Sequence, residues 1–163
     1  MLKLKQTNNV GVVKLEVLLF FLLWLTYGLT INSDNLYEYN LQQIGVEALV
    51  ERGQFYLDGS QSPYLYPRAD VFLHEGRKYA AKQPGQSMAG AVAYFPLHAL
   101  GFSYVKNYFL TSALITFLTA SLATAISGVA VFRVARALTK NSSTLFWSLA
   151  TALAYGLATN IFP

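Results

Sequence analysis

NYFLTSALITFLTASLATAISGVAVF, from Asn107 to Phe132, runs without one charged side chain. At about 1.5 Å per residue, a helix of this length exceeds the roughly 30 Å hydrocarbon core of a bilayer. Three further uncharged stretches stand in the same chain: Val17 to Ser33, Gln83 to Val105 and Asn141 to Pro163. Composition agrees, since 54% of the 163 residues are hydrophobic and 12% are charged, about half the roughly 25% charged share of a soluble domain. Spread evenly, such an apolar excess would suit a buried core. Gathered into runs, it points to an all-α polytopic membrane protein.

The formal net charge is +4, which raises the question of nucleic acid. The basic residues form no compact patch, however, and stand at the edges of apolar runs, where headgroups attract them. No nucleic-acid partner is expected. The chain has no cysteine, which excludes disulfides, thiolate catalysis and zinc–cysteine sites. Lys3, Lys5 and Lys14 precede the first apolar run as they would in a signal peptide. The bulky Trp24, Tyr27 and Leu29 then fill the places where a cleavage site needs small residues, so the run reads as a retained span.

About three transmembrane helices are expected, over 12–31, 108–132 and 144–161. Between the first two lies a large loop, 32–107. Asp34 to Lys82 within it carries seven of the eight acidic residues and five of the twelve basic ones. Asn35 and Glu38 suggest a capping box and Gly53 a stop, giving an amphipathic helix over 35–52. Its face Tyr37, Leu41, Ile44 and Ala48 would rest on the headgroups. Asp58-Gly59 and Pro63 mark turns, and Glu75-Gly76 joins Val71 to His74 with Arg77 to Ala80 as a short hairpin. The segment 86–104 is apolar enough to cross but is interrupted by Pro96. Were it a span, Arg133, Arg136 and Lys140 would emerge on the side opposite Lys3, Lys5 and Lys14. The positive-inside rule therefore favours a re-entrant or surface helix for 86–104. In that arrangement 1–11 and 133–143 are cytoplasmic, 32–107 is extracytoplasmic, and the protein is multi-pass in a plasma (inner) membrane. Ala120, Ala123, Ala125 and Gly128 invite close helix packing. With no polar tail after Pro163, the chain is expected to be the N-terminal part of a longer protein, truncated after 163.

Four places carry candidate chemistry, each beside a plainer reading. Asp34, at the mouth of the first span, is a general base or a metal-binding carboxylate, or else a helix cap. Lys82, before Pro84-Gly85-Gln86, is a cation suited to a phosphate, or an interface anchor. Arg68, Arg77 and Lys78 bind anions or are simply solvated. Tyr56, Tyr64, Tyr66 and Tyr79 stack on a sugar or anchor the interface. His74 and His98 have no matching metal ligands nearby in sequence. Phosphate-loop, dinucleotide-binding, zinc-protease and serine-hydrolase motifs are absent.

Taken in order, these pieces resemble one family. Ser33-Asp34-Asn35 closes the first span, the stretch Leu36 to Arg52 follows, then Gly53-Gln54-Phe55-Tyr56-Leu57-Asp58 and a proline-rich turn. His74-Glu75-Gly76-Arg77-Lys78-Tyr79-Ala80-Ala81-Lys82-Gln83-Pro84-Gly85-Gln86-Ser87 comes next, and Thr159-Asn160-Ile161-Phe162-Pro163 ends the chain. The order is similar to the N-terminal region of integral-membrane glycosyltransferases of the C-type (GT-C) fold. The nearest branch is the one related to protein mannosyltransferases and aminoarabinose transferases, described as RgtA/B/C/D-like. The resemblance covers about Val17 to Pro163. It implies a cell-envelope enzyme moving a hexose or pentose from a polyprenyl-phosphate sugar donor to an acceptor on the outer face. Asp34 matches the catalytic acidic position, and Lys82, with Arg77, would meet the donor phosphate. Arg68, Tyr66 and Gln86 are the weaker substrate-binding candidates. Gln83 replaces the first proline of the usual pair, and Glu75 replaces the aspartate before Gly76. Asp-Asn stands where many members have two acids, which leaves divalent-metal dependence open, with Asp34 as the ligand; no other cofactor is implied. At this length the chain is expected to transfer no sugar by itself. The alternative is a non-enzymatic multi-span protein, a transporter fragment or assembly factor, whose outer loop is a binding surface.

Overall fold

The computed structural model describes residues 9–32, 40–65, 70–82, 84–139 and 144–158. These are mostly helical. Five helices and one hairpin follow in order: α1 (Asn9–Thr30), α2 (Asn40–Glu51), β1 (Val71–His74), β2 (Arg77–Ala80), α3 (Gly85–Ala99), α4 (Tyr108–Leu138) and α5 (Thr144–Ala158). They divide into two compact units. One unites α1, the part of α4 from Ser121 onward, and α5; the other is residues 31–120.

Two helices have the length and composition to cross a membrane, Gly11–Thr30 within α1 and Tyr108–Leu138, which is α4; mean hydropathy is 1.9 in each. The core helix of a soluble protein can have the same length and composition but is mostly buried. Here 17% and 22% of the two windows are buried, and Leu18, Leu25, Leu29, Ile126, Val134 and Leu138 lie exposed. That is the surface expected of helices facing lipid. α5 is apolar but has 15 residues. α4 continues past Phe132, so Arg133 and Arg136 lie on its last turns and not, as expected, in a loop.

In the first unit Leu19, Leu23, Tyr27, Ala125, Phe132 and Ala152 form the core. Small residues set its tightness. A Cβ on Gly128 would fall 2.4 Å from Leu23 Cδ1, and one on Gly156 would fall 2.7 Å from Leu23 Cδ2. Polar pairs fix the helix directions. Arg133 Nε and Nη2 donate to Glu16 Oε1 and Oε2 at 3.1 and 2.8 Å, so the start of α1 lies beside the end of α4. Tyr27 donates to the Gly156 carbonyl at 2.7 Å, so α1 and α5 end together. Within the unit the order is up, down, up.

The second unit has its own core of Ile44, Val46, Leu57, Leu65, Tyr94, Tyr104, Tyr108 and Ile115. α2 stops where expected: Gly53 has φ +64, and Gln54 N–H bonds back to the Ala48 carbonyl at 3.0 Å. The expected capping box at Asn35 and Glu38, with Tyr37, lies outside the described residues. Ile44 and Ala48 are fully buried and do not rest on headgroups. They face protein because α3 packs along α2, and a Cβ on Gly45 would fall 2.5 Å from Ser87 Oγ. The hairpin pairs Val71 with Ala80 and His74 with Arg77. Its turn residues Glu75 and Gly76 both have positive φ, +50 and +76, as a tight two-residue turn requires. Leu57 N–H donates to the Lys78 carbonyl at 2.8 Å, and Lys78 N–H donates to Asp58 Oδ2 at 2.7 Å, so the Asp58 turn docks on β2.

Pro96 does not interrupt α3. It sits in the final turn, where Leu100 N–H still reaches the Pro96 carbonyl at 3.1 Å. The helix ends at Ala99, short of the expected residue 104, because Gly101 turns the chain at φ +93. α4 contains a π turn, Phe117–Ser121. Tyr108 and Ile115 before it belong to the second core, while Ala125 and Phe132 after it belong to the first.

Candidate functional site: an amphipathic cleft around Lys82

A cleft of about 280 Å³ opens in the second unit between α2, the hairpin and the start of α3. α2 lends Leu41, Gln42 and Leu49, and the hairpin lends Phe72 and Tyr79, stacked at 5.5 Å between ring centroids. Lys82 follows β2 by two residues, and Pro84, Gln86 and Ser87 come from the start of α3. The N-cap residue of α3 is Pro84, which makes no side-chain bond to the first amides, and the first turn carries no acidic residue, so nothing on α3 itself offsets the positive end of its dipole. Apolar and aromatic walls with a cation and carboxamides at one end suit an anion carried on a largely apolar body.

Three of the residues singled out in the sequence, Tyr79, Lys82 and Gln86, thus line one cleft. Arg77 does not line it. Its guanidinium stands 4.5 Å over the Tyr56 ring, an arrangement worth some stabilisation as a cation–π contact. Asp34, Tyr66 and Arg68 lie outside the described residues. His74 approaches Glu75 at 3.9 Å, both side chains mostly exposed. His98 meets the Tyr94 hydroxyl through Nδ1 at 3.3 Å. Among the described residues no three metal-ligating side chains come together.

Asp70 escaped the sequence reading. Its Oδ2 lies 2.9 Å from Lys82 Nζ, with both side chains about half exposed. The signal for it was present: the hairpin register puts residues 70 and 81 opposite one another, one step beyond Val71 and Ala80. The buried polar network beside the cleft was also missed. Glu47 is 1% exposed and accepts hydrogen bonds from Arg52 Nη1 and Ser60 Oγ. Burial raises its carboxyl above the usual range, outweighing the lowering by Arg52. Tyr94 donates to Glu51. Burial first, and then the Glu51 carboxylate, push the Tyr94 phenol far above its ordinary value. Tyr104 is pushed up by burial as well and donates to Gln43 Oε1 at 2.6 Å. Gln43 and Glu47, four residues apart on the same stripe of α2 as Ile44, would have marked this network as polar groups on a buried face. No protein-family model, curated protein or solved structure matches the chain.

Proposed function

We propose that this chain belongs to a multi-pass membrane glycosyltransferase that uses a polyprenyl-phosphate sugar, with the donor phosphate held at Lys82. The observation that carries this is the convergence of Lys82 and Gln86 with Phe72 and Tyr79 on one cleft. The aromatic walls suit the apolar lipid or the sugar face, and Lys82 with the start of α3 suits the phosphate. In the reaction, an acceptor hydroxyl displaces the lipid phosphate at the anomeric carbon. Asp34, assigned by the family resemblance, takes the hydroxyl proton, and Lys82 offsets the charge growing on the leaving phosphate. Arg77, held over Tyr56, is left out of this site.

The membrane arrangement proposed with it has the N-terminus cytoplasmic in the plasma (inner) membrane. α1 runs outward, residues 32–107 are extracytoplasmic, α4 returns and α5 leads out. Its support is the Glu16–Arg133 pair, which sets the start of α1 and the end of α4 together, so that Lys14, Arg133 and Arg136 share the positive side. The competing reading is a non-enzymatic binding surface, favoured by the carboxylate already resting on Lys82.

Binding separates the two. The purified chain in detergent should bind farnesyl phosphate more tightly than farnesol, and Lys82→Gln should remove that preference. Asp34→Asn should keep it, since Asp34 acts on the acceptor. Equal affinity for the phosphate and the alcohol in the wild type would end the donor-phosphate reading.

A further inference from the structure

Lys82 is not an idle cation. Its Nζ is 2.9 Å from Asp70 Oδ2, and the hairpin makes this proximity structural. Ala81 N–H donates to the Asp70 carbonyl at 2.7 Å, extending the ladder one pair past Val71 and Ala80. Asp70 itself has φ +54, a left-handed conformation that aspartate and asparagine accept more readily than most residues. The Asp70 backbone is therefore held at the foot of the hairpin, while Lys82 carries its charge on a flexible four-carbon stem.

We propose that Asp70 is the resident counter-anion of Lys82, competing with the lipid phosphate for the cation and reclaiming it when the phosphate leaves. The proposal rests on the reading of Lys82 as the donor-phosphate residue. Three observations argue for competition over permanent pairing. The ion pair is about half exposed on both sides, the setting in which such pairs are weak and easily exchanged. Lys82 lines the cleft and Asp70 does not, so the lysine can turn toward a ligand while the carboxylate stays outside it. The product lipid phosphate is a monoester carrying close to two charges at neutral pH, whereas the donor is a diester carrying one. A fixed carboxylate nearby opposes the product more than the donor, which favours release after transfer.

The test titrates farnesyl phosphate into the intact chain and four variants by calorimetry. Asp70→Asn keeps the left-handed backbone accessible and removes the charge, and should bind about two- to fivefold tighter than the wild type, the range set by exposed ion pairs. Asp70→Gly, which also accepts this φ, should do the same, so a folding defect in one variant does not decide the matter. Glu75→Gln removes another exposed acid of the hairpin that has no pairing with Lys82 and should leave the affinity unchanged. Unchanged or weaker binding in both Asp70 variants, or equal tightening in Glu75→Gln, overturns the counter-anion role. Lys82→Gln reports separately: if it binds as well as the wild type, the phosphate reading fails with it, whereas weak binding in Lys82→Gln with no gain in the Asp70 variants removes the present inference alone.

Discussion

Glu47 is a carboxylate under two opposed influences. Its almost complete burial disfavours the charge, and the Arg52 guanidinium favours it; burial wins, and the folded carboxyl lies above the ordinary range. Among the described residues, Arg52 Nε and Nη2 are buried with no hydrogen-bond partner. The folded state therefore holds the Glu47 proton more tightly than the unfolded state does. By linkage, that contribution to stability is fully present below the ordinary glutamate pKa and is lost as pH rises through the raised folded value. Glu47→Gln removes the titrating group and keeps an oxygen for Arg52 and Ser60, so it should flatten this pH dependence and be at least as stable as the wild type at pH 8. Thermal unfolding in detergent, followed by circular dichroism from pH 4 to 8, reads the effect. An unchanged pH dependence in Glu47→Gln would show that this carboxyl is not the source.

At the scale of elements, glycine decides how closely helices meet. A Cβ on Gly90 of α3 would fall 2.4 Å from Val46 Cγ2 of α2 and 3.4 Å from Ile115 Cγ2 of α4. The Val46 side chain is β-branched and nearly fully buried, so it has little room to turn aside. Gly90→Ala should cost about 1–3 kcal/mol by overpacking. Val46→Ala should cost its own lost packing, and the double variant should lose clearly less than the sum, because the methyl group then enters the space that valine vacates. Strict additivity would mean that the helices already relax apart. Signals of short range were legible in the sequence: the long apolar runs, the Glu75-Gly76 turn and the Gly53 stop each depend on a few neighbouring residues. Contacts between elements were not. Ile44 and Ala48 read as a headgroup-facing stripe because an amphipathic helix looks alike whether lipid or α3 covers it. Pro96 read as a break, although the helix runs through it to Ala99. Asp70 and Lys82 are twelve residues apart, but the expected hairpin already set Asp70 opposite Ala81, so their nearness was within reach of the sequence.

At the scale of the whole molecule, the helix directions in the first unit constrain the path of the chain. Because the start of α1 lies beside the end of α4, α1 ends and the later part of α4 begins at the same end of that unit. If both cross a bilayer, everything between them leaves and returns on one side. An α3 that crossed alone would break this, which gives a physical reason, independent of charge, for keeping 86–104 out of the count of spans. α4 has 31 residues, about half again what a crossing needs. Its earlier residues Tyr108, Thr111, Ser112 and Ile115 are buried in the second unit, and Arg133 and Arg136 stand on its last turns. The chain has no cysteine of its own, so single cysteines at Asp58, Lys106 and Lys140 can be probed with a membrane-impermeant thiol reagent on intact cells. Labelling at Asp58 and Lys106 with protection at Lys140 is expected, and it would put the Lys82 cleft on the face where a lipid carrier presents its sugar. Labelling at Lys140 with protection at Lys106 would mean that 86–104 crosses. The antiparallel pairing of α1 and α4 would then not hold in the membrane, and a lipid-sugar reaction at Lys82 would lose its setting.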